Sequence, residues 1–184
     1  MIAILGWGGT LLYLLNHAYL SFIPNWNKTI YYSVNLIAAL ALVVSSVVLN
    51  SWQAVAINMF WAVVSALMVF EFSLRNLPIL SRRFFLLLSV LIIVFVFAYL
   101  SSSEDIWNLV SWIAAVIFCI SYLMFTISKM NSKSYQIANF FAAIMCLPAL
   151  WLQKNFAVFA LEIVWALISI WSVLKNFEEA YIID

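Results

Sequence analysis

One acidic residue lies in the middle of a long apolar stretch, and it is the residue best able to do chemistry. Glu162 falls within 155–174, and a carboxylate at bilayer depth costs at least about 2.5 kcal/mol on insertion scales. Such a carboxyl group faces a cavity, pairs with a donor or stays protonated, and in the last state it can exchange a proton. Glu162 is therefore our first candidate for a solute or proton site.

An amide occupies the matching position of an earlier apolar stretch. A shift of 104 residues places Asn58 on Glu162 and Trp61 on Trp165. An amide and a carboxyl group that face each other near the midplane could bind a hydroxyl, an amine or a cation. Each tryptophan follows its polar residue by one helical turn and could stack on such a solute. The alternatives are a hydrogen bond that holds two halves together, and ordinary core packing of the indoles.

Three further polar residues lie within apolar stretches. Asn35 and Asn139 match at the same shift, and we interpret them as ties between helices that could also support the site. His17, late in the first stretch, is either a proton relay or a packing residue, and a lone histidine does not make a metal site. Cys119 and Cys146 are expected to pack as small apolar residues. No metal or cofactor is expected.

The composition places these residues in lipid. Of 184 residues, 68% are hydrophobic and 8% are charged, whereas a soluble domain has about a quarter charged residues. The formal net charge of +1 offers no basic surface for nucleic acid. An enzyme is not expected, because the sequence shows no paired-carboxylate site, histidine cluster, nucleotide loop or nucleophile beside a base. The expected partners are the bilayer and a small polar solute or ion, and a homo-oligomer remains open.

Interruptions in the apolar pattern predict an all-α integral membrane protein with seven transmembrane helices. The predicted spans are 2–22, 30–49, 53–72, 84–101, 106–127, 135–152 and 155–174. Of the eight basic residues, seven then fall on one side of the membrane, and only Lys154 falls on the other. Because the basic side is normally cytoplasmic, we expect the amino terminus outside and the carboxyl terminus in the cytoplasm. The compact loops and the absence of processing signals favour a multi-pass protein of the cell's inner (plasma) membrane.

The matches at a shift of 104 predict an internal repeat. In the first helices a shift of 105 also places His17 on Tyr122. The predicted organisation is a three-helix repeat over 1–75, a linker with the fourth helix over 76–104, and a second repeat with a short tail over 105–184. An odd linker helix restores the direction of the chain, so this 3+1+3 plan has parallel repeats.

Two resemblances follow from these features. The residues Gly6-Trp7-Gly8-Gly9-Thr10-Leu11-Leu12-Tyr13, with Asn35, Asn58 and Trp61, resemble a small bacterial three-helix membrane family of unassigned function, of which this chain would be a tandem duplication. The 3+1+3 plan resembles the SWEET and SemiSWEET transporters of the PQ-loop and PnuC type. In SWEET proteins an asparagine on the third helix of each repeat faces the substrate, and Asn58 matches that placement. Glu162 departs from it, which favours a proton-linked or cation-handling role over neutral sugar transport.

Three functions are compatible with these features. The first is a transporter or facilitator of a small polar solute, linked to protons or cations through Glu162, in which two triple-helix bundles rock about a midplane site. The second is an ion or proton channel along the same polar axis. The third is a membrane subunit or receptor that does not transport.

Overall fold

The computed structural model describes residues 2–72 and 106–181, and for residues 176–181 it describes the backbone alone. The described residues form six helices. They are α1 (Ile2–Phe22), α2 (Lys28–Val48), α3 (Trp52–Val69), α4 (Ile106–Thr126), α5 (Ser132–Leu152) and α6 (Phe156–Tyr181). We call α1 to α3 the first unit and α4 to α6 the second unit. The predicted fourth span, 84–101, and the basic residues at 75, 82 and 83 lie outside the described residues.

The middle helix of each unit begins at an asparagine cap. The side-chain oxygen of Asn27 accepts a hydrogen bond from the backbone N–H of Ile30 at 3.1 Å, and that of Asn131 accepts one from Ser134 at 2.8 Å. Each cap satisfies a backbone donor that the first helical turn leaves open. The predicted spans begin only after the polar residues that precede each apolar stretch. The asparagine caps explain why α2 and α5 begin two and three residues earlier.

The turns after the middle helices also have the same geometry. Asn50 and Lys154 adopt left-handed φ angles of 52° and 55°. In the next residue of each turn, the backbone N–H returns to a carbonyl of the last helical turn, at 2.9 Å in one turn and 3.0 Å in the other. This is the Schellman arrangement that closes a helix end. Because caps, turns and helix bounds recur at a shift of 104, the two units have the same local design.

Other helix ends differ slightly from the predicted spans. A third left-handed residue, Glu71 with φ 56°, ends the first unit, so α3 stops at Val69, before the predicted 72. In contrast, α6 continues to Tyr181, beyond the predicted 174. The polar residues after 174 end the apolar stretch, but they do not stop a helix from continuing outside lipid.

Helices α1 and α6 form one contact between the units, and they run in the same direction. The Thr10 hydroxyl donates to the carbonyl oxygen of Ala157 at 2.9 Å. Further along both helices, Nε2 of His17 lies 3.1 Å from Oγ of Ser169. Because the contact positions advance in the same direction along both helices, α1 and α6 are parallel.

The other contact, between α3 and α4, is also parallel. The side chains of Gln53 and Asn108 hydrogen-bond near the beginning of both helices. The hydroxyl groups of Ser65 and Tyr122 lie 2.9 Å apart near the ends. In both contacts the first helix of one unit meets the third helix of the other. The two described units therefore stand the same way up around a common axis.

Five of the described helices, α2 to α6, are long and apolar enough to cross a membrane. Helix α1 is not among them, because it carries all three glycines together with Asn16 and His17. Its outer face is nevertheless apolar, with Leu11 and Leu15 about 60% exposed. Large apolar side chains are also exposed along the other helices, whereas asparagine, glutamine and serine side chains are buried. This inverted polarity indicates a membrane protein.

The packing of α1 on α2 predicts opposite effects for alanine at two neighbouring glycines. A Cβ atom at Gly9 would lie 3.0 Å from Cγ of Leu42 and 3.1 Å from Cβ of Ala41, whereas one at Gly8 would meet nothing within 4 Å. We expect Gly9→Ala to lower the free energy of unfolding by about 1–3 kcal/mol through overpacking. Gly8→Ala should raise it by up to about 1 kcal/mol, because alanine favours the helix.

The measurement is unfolding of detergent-solubilised protein by titrated sodium dodecyl sulfate, followed by circular dichroism. Equal effects of the two substitutions would contradict the close approach of α1 and α2.

Candidate functional site

Glu162 and Asn58 line the same cavity between the two units. Both side chains are buried, at 6% and 4% exposure. The cavity has a volume of about 20 Å³, which is room for about one water molecule. Helices α1, α3, α4, α5 and α6 all contribute to its wall, so it lies on the common axis. The other polar or aromatic lining residues are Tyr13, Gln53, Trp61, Ser111, Phe118, Cys146 and Trp165.

Several polar atoms of the cavity wall have no hydrogen-bond partner among the described residues. Asn58 is partly satisfied, because its Nδ2 donates to the carbonyl oxygen of Ala54 at 2.7 Å. In contrast, Oε2 of Glu162, the hydroxyl of Tyr13 and Nε1 of Trp61 are buried without a partner in the described part of the chain. Buried polar groups are rarely left unpaired. A cavity of this size beside them has room for a bound water or small cation that would pair with them.

Four side chains form an amide belt at the end of the molecule that carries Lys154. They are Ser51, Gln53, Asn108 and Gln153. The Ser51 hydroxyl donates to Oε1 of Gln153, whose Nε2 donates to Oε1 of Gln53 at 3.0 Å. Gln53 in turn donates to Asn108. The belt joins both units and, through Gln53, borders the cavity.

An aromatic layer lies on the other side of the cavity. It consists of Tyr13, Trp61, Phe118 and Trp165. The indole rings of Trp61 and Trp165 are 5.2 Å apart between centroids, and the ring of Tyr13 meets both edge to face at 5.5 and 5.9 Å. The ring of Phe118 meets Trp61 at 5.9 Å. This layer stands between the Glu162 cavity and a second cavity, at the end that carries Lys28 and Lys129.

Both tryptophans of the aromatic layer stack on a side chain beneath them. Trp165 stacks on His17 at 3.8 Å between ring centroids, and Trp61 stacks on Tyr122 at 4.6 Å. These two pairs are equivalent in the two units, as the shift of 105 predicted for His17 and Tyr122. One face of each indole is therefore covered by protein in this conformation, so a solute could stack there only after a rearrangement.

Asn35 and Asn139 lie below the aromatic layer and are not among the cavity residues. Nδ2 of Asn35 donates to the hydroxyl groups of Ser65 and Tyr122, both at 2.9 Å. Oδ1 of Asn139 accepts a hydrogen bond from Nε1 of Trp165 at 3.1 Å. Both amides join different helices, which agrees with their interpretation as ties.

The amide belt and the position of Tyr13 in the cavity wall were not predicted from the sequence. The belt residues lie at or near the ends of predicted spans, where polar side chains usually need no explanation. Ser51 and Gln153 are 102 positions apart, close to the repeat shift, which was the available signal for their contact. In the sequence Tyr13 stands out only as the last residue of the Gly6–Tyr13 motif, although it shares a helical face with His17 one turn later.

One family model matches this chain. A sequence profile of an uncharacterised protein family matches residues 2–76 and, again, residues 107–180. The chain belongs to this family. Each matched segment covers one three-helix unit, which supports an internal repeat. Comparisons with curated proteins and with solved structures found no match. In the described part of the chain, no group of histidine, cysteine and acidic side chains could hold a metal ion.

The different contacts of the two asparagines predict a difference in stability. We expect Asn35→Ala to lower the free energy of unfolding by about 1–2 kcal/mol, because it removes hydrogen bonds to side chains on three other helices, those of Asn16, Ser65 and Tyr122. Asn139→Ala is the matched control and should cost about half as much, since it removes one interhelical bond. Unfolding in titrated sodium dodecyl sulfate measures both. A larger loss for Asn139→Ala would contradict the described network.

Proposed function

We propose that this chain is a membrane carrier for a small polar solute, linked to protons or small cations through Glu162. In this proposal seven helices span the membrane as 3+1+3, and α1 and the residues 84–101 provide the two crossings beyond the five apolar helices. The plan agrees with the resemblance to SWEET-type transporters, while the acidic residue separates this chain from a neutral sugar carrier.

The observation that carries the proposal is the state of the Glu162 carboxyl group. Its Oε2 is buried, has no partner among the described residues, and borders a cavity with room for about one water. A carboxyl group kept only for stability would be expected to have its hydrogen bonds satisfied by neighbouring side chains. A carboxyl group that must load and release a proton or cation instead needs an oxygen that neighbouring side chains leave unpaired.

The arrangement of the units supports a rocking mechanism. The two largest contacts between the units, α1 with α6 and α3 with α4, flank the cavity. Opening toward the Lys154 end would separate the amide belt, and opening toward the Lys28 end would separate the aromatic layer. Because the cavity has a volume of only about 20 Å³, a solute larger than water can enter only when one of these closures opens. We take the described conformation as the closed one.

The two alternative functions have weaker support. A channel needs a continuous water path, but aromatic rings stand between the Glu162 cavity and the second cavity. The role of a subunit or receptor that does not transport would not explain why Oε2 of Glu162 is buried without a partner in the described residues. We therefore prefer the carrier.

The carrier proposal includes an orientation, with the Lys28 end in the cytoplasm of a cell's inner membrane. Lys28 and Lys129 border the same cavity, whereas Lys154 lies in the turn at the other end. In intact cells, a membrane-impermeant maleimide should label Lys154→Cys, whereas Ser132→Cys should react only after permeabilisation. The opposite pattern of labelling would reverse the orientation.

Replacement of the acid tests the carrier directly. Vesicles that contain the protein and an entrapped pH dye are exposed to hydroxylated, amine and cationic small molecules, over a range of external pH. The native chain should couple at least one of these molecules to proton movement. Glu162→Gln, which keeps the shape but cannot release a proton, should abolish that coupling while the protein still folds.

Asn58→Asp is a matched variant, because it places an acid at the equivalent position of the other unit. The double variant Asn58→Asp with Glu162→Gln should recover part of the proton coupling if position along the axis is what matters. Normal coupling in Glu162→Gln across the pH range would show that the site is wrong.

A further inference from the structure

The two contacts between the units have equivalent positions but different chemistry. On the α1/α6 side, Glu162, Tyr13, His17 and Ser169 follow one another from the cavity toward the Lys28 end. Their counterparts on the α3/α4 side are Asn58, Phe118, Tyr122 and Ser65. An acid, a phenol and an imidazole on one side thus correspond to an amide, a phenyl ring and a phenol on the other.

The α1/α6 side has unused hydrogen-bonding capacity. Tyr13 borders the cavity with Glu162, and both the Tyr13 hydroxyl and Nδ1 of His17 are buried without a partner in the described residues. Tyr13 and His17 are one turn apart on α1, and both rings contact Trp165, at 5.9 and 3.8 Å. The other ring nitrogen of His17, Nε2, lies 3.1 Å from the hydroxyl oxygen of Ser169.

The α3/α4 side is saturated at the same height. The hydroxyl groups of Tyr122 and Ser65 lie 2.9 Å apart, and Nδ2 of Asn35 donates to both. Phe118, which stands where Tyr13 stands on the other side, has no polar atom. The indole N–H of Trp61 is buried without a partner in the described residues, but it can only donate and therefore cannot pass a proton on.

We propose that protons reach Glu162 from the Lys28 end along the α1/α6 side only, through Tyr13, His17 and Ser169 with intervening water molecules. This inference rests on the proposed function and names its proton route.

Each transfer along this route conserves atoms and charge. The imidazole of His17 takes a proton at one ring nitrogen and releases one from the other, and rotation or exchange with water resets its tautomer. The Tyr13 oxygen accepts a proton from a water while its own hydrogen passes to the next water on the cavity side. That water protonates the Glu162 carboxylate. Release of the proton from Glu162 follows the same bonds in reverse.

The neighbours of Glu162 support a single route. Among the described cavity residues, Tyr13 from α1 and Cys146 from α5 are the titratable groups that face it, and α6 adds no other. The polar cavity residues of α3 and α4 are Gln53, Asn58, Trp61 and Ser111, and none of them is an acid or a base at neutral pH. Cys146 and Ser111 lie at the height of the cavity itself, so they do not continue toward the Lys28 end.

The test measures how fast the Glu162 carboxyl group exchanges its proton, without any knowledge of the solute. The full chain is reconstituted in lipid vesicles and studied by infrared spectroscopy. The C=O stretching band that disappears in Glu162→Gln is assigned to the protonated Glu162, and its isotope shift is followed in time after a change from H₂O to D₂O. Circular dichroism and gel filtration confirm that each variant is folded.

We expect Tyr13→Phe and His17→Gln to slow this exchange about tenfold or more, because each removes a group that both accepts and donates. Tyr122→Phe removes the equivalent hydroxyl of the other side and is the matched control, for which exchange should stay within about twofold of the native rate. The milder pair Ser169→Ala and Ser65→Ala repeats the comparison if a larger substitution unfolds the protein.

The outcomes separate this inference from the proposed function. If no C=O band is lost in Glu162→Gln at any pH between acid and alkaline limits of stability, Glu162 holds no exchangeable proton and the proton-linked carrier fails. If the band is present but its exchange is as fast in Tyr13→Phe and His17→Gln as in the native chain, the one-sided route is wrong while the carrier can stand. Equal slowing by Tyr122→Phe would also overturn it.

Discussion

The inability of lipid to offer hydrogen-bond partners is the constraint on which this structure depends. Polar side chains in the helices must either meet one another or meet something bound inside. The amide belt and the Asn35 network meet the requirement with neighbouring side chains, and they join helices of both units in doing so. Glu162 and Tyr13 do not, and both border the small cavity on the axis. The contacts between the units thus include groups that satisfy one another, whereas the cavity contains polar atoms that a bound water or ion could pair.

Duplication of a three-helix unit explains where the polar groups meet. The caps at Asn27 and Asn131 and the turns at Asn50 and Lys154 recur at a shift of 104. The equivalent residues Asn58 and Glu162 line one cavity, so a change in one copy gives that cavity an amide and a carboxyl group rather than two identical groups. A symmetric carboxyl pair would place two like charges around one small cavity, which is unfavourable. Divergence of the copies therefore suits a site with one titratable group.

Much of this arrangement could be predicted because polar residues are scarce in these apolar helices. A polar side chain in such a helix is costly unless it contributes to packing or to a site. Glu162, Asn58 and His17 were found in that way, and the structure brings the first two to one cavity. The starts of α2 and α5 could not be predicted from hydropathy, since they depend on asparagine caps. The amide belt was missed because Gln53 and Gln153 lie near helix ends, where polarity is ordinary. The covered faces of Trp61 and Trp165 depend on tertiary packing, which the repeat alone did not specify.

The amide belt has no ionisable group in Ser51, Gln53, Asn108 or Gln153, and this has an electrical consequence. A membrane potential acts on charges, with about 2.3 kcal/mol per elementary charge for each 100 mV crossed. Neutral amides that part or rejoin move almost no charge through the field, so the voltage contributes little to that closure. In the proposed carrier, a proton that travels between the Lys28 end and Glu162 would cross part of the field. Voltage would then act on the proton step of that carrier and hardly on the opening of the amide belt.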